Sequence, residues 1–212
     1  SGCGKTVLLK ALIQLLEPTT GKVFFDGQDL STLNMHELAK QRTRFGFIFQ
    51  QAALFDSMTI GQNVAFPLLQ HTDLSEAEVQ QRVLDQLADV GLPDSVIDKK
   101  PAELSGGMRK RVGVARALML NPELVLYDEP TTGLDPIVSD VINELILRSR
   151  RRYCVTSIVV THDMRTARKV ADRVVMLYPT SRLEAGESQI IFDGPPSELD
   201  RTEDSRHSID FN

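Results

Sequence analysis

Two stretches of this chain, "ELVLYDE" at 123–129 and "CVTSIVVTHD" at 154–163, are apolar without the in-and-out alternation of a strand that has one wet face. Such strands must be covered on both sides, and helices that cross over between parallel neighbours supply the cover. The segment between them, "SDVINELILRSR", has the spacing of such a helix. An α/β fold with a parallel sheet is therefore expected.

The rest of the chain fits that plan. Lys5 to Leu16 reads as a helix, with Leu8, Leu9, Leu12, Ile13 and Leu16 at helical spacing and Glu17-Pro18 followed by Gly21 as the stop. "KVFFDGQDL" is β-rich about an Asp26-Gly27 turn, and "RFGFIFQ" is a short apolar strand ending at Gln50. Beyond it the character turns helical. Ser75 with Glu78 has the capping-box spacing, Val79, Val83, Leu87 and Val90 make one apolar face, and Gly91 suits a C-terminal cap. A helix from Gly107 to about Leu120 stops at Asn121-Pro122, "DRVVMLY" and "QIIFDG" add two strands, and the polar residues from Asp200 read as a disordered tail.

With 212 residues, 42% of them hydrophobic, one globular domain with an attached subdomain is the default. No uninterrupted apolar run reaches the roughly eighteen residues of a membrane span, and no export signal opens the chain, so a soluble, cytosolic protein is expected. A net charge of -5 argues against a non-specific nucleic-acid binder. Cys3 and Cys154 lie far apart and outside any metal-binding spacing, so both read as reduced thiols.

The opening "SGCGKT" supplies Gly2, Gly4, Lys5 and Thr6 of a phosphate-binding loop, in which small residues let backbone N–H groups curl around phosphate oxygens at a helix start. Lys5 would reach the β- and γ-phosphates of ATP, and the Thr6 hydroxyl would ligate Mg²⁺. "LVLYDEP" delivers two adjacent acids at the end of a buried strand, where α/β sheets place ligand groups. Asp128 would hold Mg²⁺ and Glu129 would polarise the attacking water. Seen alone, the pair is simple strand termination. In "LSGGM", Ser105, Gly106 and Gly107 aim a hydroxyl, backbone N–H groups and a helix dipole at an anion, although a Ser-capped helix would read the same. One nucleotide rarely needs two such helix ends from one chain, which suggests two copies paired head to tail. His162 could orient the water, Gln50 could sense Mg²⁺ or water, and Asp135 in "TGLDP" could touch the partner copy. Considered singly, His162 is better explained as a capping or satisfied histidine.

Five ordered motifs, "SGCGKT", "FQQ", "LSGGM", "LVLYDEP-TTGLDP" and "VVTHD", resemble those of the ATP-binding subunits of ABC transporters, over Ser1 to about Leu199. The resemblance implies a RecA-like P-loop NTPase core with a helical signature subdomain at about 54–115. It also implies ATP contacts from Ser1, Gly2, Cys3, Gly4, Lys5, Thr6, Gln50, Ser105, Gly106, Gly107 and Asp135. Mg²⁺ would bind at Thr6, Gln50 and Asp128, and catalysis would fall to Glu129 and His162. "FQQAALFDSMTIGQNVAFPLLQHTDLSE" and Met108, where most relatives carry Gln, look most like the MlaF-like group that works with MCE-type lipid transporters. That implies phospholipid transport, an MlaE-like permease, an MCE protein and a second copy as partners, no nucleic acid, and a place on the cytoplasmic face of the inner membrane held through the permease. Leu54, Phe55 and Met58 become candidates for the permease contact, with Phe66 read as core. Another transported substrate, or a soluble non-transport ATPase, are the alternatives. "LYPTSRLEAGESQIIFDG", 177–194, is longer than the usual turn, and the strand, leading glycine and adenine-stacking aromatic that the resemblance places ahead of Ser1 are absent. A chain that starts there is expected to bind ATP poorly or not at all, while the full-length protein is expected to hydrolyse it.

Overall fold

The computed structural model describes residues 3–184 and 186–201, the last two by backbone alone. Helix α1 (Lys5–Leu12) is followed by a hairpin of β1 (Phe24–Phe25) and β2 (Gln28–Asp29), then α2 (Met35–Arg42) and β3 (Phe45–Ile48). Helices α3 (Ile60–His71), α4 (Glu76–Asp89) and α5 (Gly106–Leu118) lead to β4 (Leu124–Asp128). The chain continues through α6 (Pro136–Tyr153), β5 (Thr156–Val160), α7 (Met164–Val170), β6 (Val174–Leu177) and β7 (Ile190–Gly194).

Strands β3, β4 and β5 pair in parallel in that order, with Leu126 opposite Phe47 on one side and Ile158 on the other. Every residue of β4 is buried. Because side chains alternate across a strand, its two faces feed two cores. Val125 and Tyr127 pack with Ile48, Val112, Val114, Ile142 and Ile146 beneath the helices that precede and follow the strand. Leu124 and Leu126 pack with Leu9, Ile13 and Val160 on the α1 side. The expected apolar face of α4 is buried in the first core, the Ser75–Glu78 capping box is formed, and Gly91 takes the left-handed conformation at φ 70°.

Four expectations need correction. Helix α1 ends at Leu12, not Leu16: Gln14 adopts φ 56°, and the N–H groups of Leu15 and Leu16 both turn back to the Lys10 carbonyl. Leu15 and Leu16 are exposed, so no burial favours a further turn. Strand β3 stops at Ile48, because the chain enters a turn at Gln50 in which Ala52 and Ala53 have φ 62° and 46°. Strand β5 is only partly buried, unlike β4. Its far edge has no ladder partner among the described residues; a cavity of about 800 Å³ lies there instead. Lys5, Leu8 and Leu12 of α1 and Val175 and Leu177 of β6 line it together with β5. Beyond it β6 and β7 form a separate antiparallel pair, joined by the long 178–189 connection. The stretch read as a disordered tail begins inside a short 3-10 helix, Pro196–Arg201, and residues 202–212 lie outside the described residues.

Candidate active site

The carboxyl ends of β4 and β5 carry the chemistry. Parallel pairing sets Asp128 opposite Val160, so Glu129 and His162, just past those ends, emerge side by side. Glu129 turns sharply out of the strand at φ 50°, a conformation that costs a non-glycine residue roughly 1 kcal/mol or more. Its backbone N–H is held by the Val160 carbonyl at 2.9 Å.

The Glu129 side chain is well packed, and its Oε2 lies 2.8 Å from Nδ1 of His162 and accepts from the Thr132 hydroxyl at 3.0 Å. An ionised carboxylate only accepts, so Nδ1 carries the hydrogen. That fixes the ring and leaves Nε2 facing outward on a largely exposed side chain. With Oε2 occupied, Oε1 is the oxygen left for a water. A buried network braces the two turns: the Thr166 hydroxyl donates to Asp163 at 2.9 Å, Asn143 donates to Thr166 at 3.1 Å, and Thr131 lies 3.3 Å from the same oxygen.

Below this pair, the Thr6 hydroxyl donates to Oδ1 of Asp128 at 3.0 Å, joining the start of α1 to the end of β4. Gly4, at φ 77°, caps α1 without any side chain across its first N–H groups, and the Cys3 carbonyl is pinned by Gln189 at 2.8 Å. Lys5 lines two adjoining clefts between β5 and β6, one of them shared with Cys3, Thr161 and His162. For Mg²⁺ the donor set fits: a hydroxyl and a carboxylate are hard oxygens. Among the described residues no group of three or more His, Cys, Asp or Glu could hold a metal by itself.

The other expected residues stand apart from this cluster. Ser105 caps α5, its Oγ accepting from Met108 N–H at 3.3 Å, and Gly107 packs against Val138 of α6. Asp135 caps α6 through the N–H groups of Ile137 and Val138. Gln50 lines a groove with Gly106, Lys110 and Thr132 rather than the cleft that holds Lys5 and His162. Ser1 and Gly2 lie outside the described residues. Sequence reasoning missed Thr132 and Lys110. Lys110 sits among Gly107, Val114 and Leu118 on the buried face of α5, and a lysine on an apolar helix face was the available signal. Its amine donates to the carbonyls of Glu129 at 3.2 Å and Thr132 at 2.9 Å, and burial lowers its pKa to about 8 against the pull of the Glu129 charge.

Polar groups gathered beyond the carboxyl ends of parallel strands, next to a glycine-led helix start, make this a P-loop nucleotide-binding fold. The ABC transporter family profile matches residues 1–132, and the chain belongs to that family. It is 43% identical over 192 residues to the probable ribonucleotide transport ATP-binding protein mkl of Mycobacterium tuberculosis, covering 90% of this chain and 53% of the relative. It is 41% identical over 206 residues to the intermembrane phospholipid transport system ATP-binding protein MlaF of Haemophilus influenzae, covering 97% and 75%. Against the methionine import ATP-binding protein MetN 2 of Pseudomonas entomophila the identity is 39% over 199 residues, covering 94% and 57%. The chain thus spans about half the length of several curated relatives it matches. The ATP-binding cassette MJ0796, in a dimeric post-hydrolysis state bound to ADP and Pi, superposes with a TM-score of 0.78 at 33% identity, covering 92% of this chain and 81% of that one.

Proposed function

We propose that this chain is the ATP-hydrolysing subunit of an ABC transporter that moves phospholipids. The observation that carries the hydrolytic part is the pairing of His162 with Glu129, one residue on from Asp128, which holds the Thr6 hydroxyl. In this reading the N–H groups at the start of α1 and the Lys5 ammonium take the β- and γ-phosphates. Thr6 and Asp128 would hold Mg²⁺, which when bound neutralises phosphate charge. Glu129 Oε1 accepts a hydrogen bond from the attacking water and aligns it, while His162 Nδ1 and Thr132 keep the carboxylate from rotating away. The chemistry asks little beyond position and charge, as phosphoryl transfer does generally.

Ser105, Gly106 and Asp135 do not line the clefts that contain Lys5. A second copy, reversed, would bring the α5 N-terminus to the nucleotide and complete the site, an arrangement supported by the dimeric state of MJ0796. Ser105→Arg should therefore leave nucleotide binding by the monomer intact and abolish the dimer seen by size-exclusion chromatography with ATP in a hydrolysis-deficient background. A dimer peak equal to the parent's would end the shared-site reading.

For the cargo, the similarity to MlaF, which extends over most of both chains, favours phospholipid. Methionine is the second reading, on the strength of the MetN relative. In this reading the chain sits on the cytoplasmic face through a permease, with Leu54, Phe55 and Met58 as contact candidates; no helix among the described residues is long and apolar enough to cross a membrane. Phe66, half-buried and 4.9 Å from the Phe55 ring, would back that surface rather than form it. Reconstituted with its permease, the complex should transfer labelled phospholipid between vesicles in an ATP-dependent manner. ATP-dependent methionine uptake without lipid transfer would replace the cargo assignment.

A further inference from the structure

We infer that Lys110 is a positioning residue for the water-activating carboxylate: it clamps the backbone turn that carries Glu129, and so ties the aim of that side chain to helix α5. The inference rests on Glu129 acting as proposed above. Glu129 sits in a left-handed conformation that a glutamate does not choose unaided. Something must hold it there. Its N–H is fixed by β5, but its carbonyl, and that of Thr132 at the other end of the turn, point toward α5, where the 6% exposed Lys110 donates to both. Thr132 in turn donates its hydroxyl to Glu129 Oε2, so one ammonium fixes both the backbone under the carboxylate and the residue that grips it. Lys110 does not line either cleft that holds Lys5, so its influence on turnover runs through Glu129 and not through nucleotide affinity.

A methionine at this position keeps most of the side chain's volume and removes both donors. Lys110→Met in the full-length protein should lower kcat by about tenfold to a hundredfold, the scale on which a small misplacement of a catalytic group is felt. Affinity for a fluorescent ATP analogue should stay within about twofold, since the phosphate contacts are untouched. Lys110→Gln, whose shorter amide can still donate, should recover part of the lost rate. In a Glu129→Gln background, Lys110→Met should produce no additional loss of the residual single-turnover rate, because the group it positions is already disabled. Wild-type kcat in Lys110→Met, a parallel fall of kcat and analogue affinity, or losses that multiply in the double variant would each overturn the inference. Should Lys110→Met fail to fold by circular dichroism, Lys110→Gln carries the same measurements. A several-fold fall in kcat with unchanged affinity then supports the clamp, and an unchanged kcat removes it. If Glu129→Gln itself turns over normally, it is the hydrolytic assignment that fails.

Discussion

Glu129→Gln should bind ATP as tightly as the parent and hydrolyse it more slowly by a factor on the order of a hundred or more. The amide is nearly the shape of the carboxylate and can still accept at one position from His162 and Thr132, which now meet Glu129 at 2.8 and 3.0 Å. What it lacks is the negative oxygen, Oε1, that aligns and polarises a water. The phosphate contacts at the start of α1 are untouched, so the loss should fall on kcat alone. Phosphate release and analogue binding measured side by side on the full-length protein make the check. Turnover near that of the parent would remove Glu129 from its role.

The second large effect concerns the cleft between β5 and β6. An extended apolar segment placed ahead of Ser1 should enter that cleft as a parallel neighbour of β5, raise the melting temperature and tighten nucleotide binding at least tenfold. The cleft lies along the edge of β5 that has no ladder partner among the described residues, with Val175 and Leu177 of β6 on its other side. Leu8 on α1 and Val175 on β6 line it, and each is roughly half exposed. Burying several apolar side chains there would contribute about 1.5–3 kcal/mol each before the ordering cost of about 1–2 kcal/mol per residue. A net gain of a few kcal/mol corresponds to roughly 5–10 °C in a domain of this size. The segment would also anchor the loop before Lys5 from its upstream side. A chain beginning at Ser1 that binds a fluorescent ATP analogue as tightly as the extended one, with the same melting point, would contradict this.

How much of this was legible beforehand depended on range. The continuous apolar run of β4 announced a strand with two covered faces, and both cores are there. Ser75 with Glu78 marked a helix start because a capping box is written within four consecutive residues. The end of α1 was misread because the leucines at 15 and 16 keep helical spacing but find nothing to bury against. The partial burial of β5 was invisible for a related reason: a run of apolar residues states what a strand could cover, not whether a neighbour is present. At the candidate site, the acids and the histidine were readable from their places at strand ends. Their mutual contacts were not, since residues 33 apart meet only through the register of β4 and β5. Lys110 and Thr132 stayed hidden because their work is done through backbone carbonyls, which no side-chain pattern reports.

Helix α5 touches the rest of the molecule at several points along its length. Gly107 meets Val138, Lys110 meets the Glu129 turn, Gly113 lies against Ala52, and Arg116 donates to the Ala52 carbonyl at 2.9 Å. These contacts recur three residues apart, so each falls about 60° back from the last and the row winds around the helix, from Gly107 to nearly the opposite side at Arg116. An inserted residue would turn everything beyond it by about 100°. Placed between Lys110 and Gly113, it would swing the Ala52 contacts away while leaving the Glu129 clamp in place, and a deletion would do the same with the opposite hand. The length of this helix is therefore set as an angle rather than a distance: a change in its residue count unfastens one turn from another.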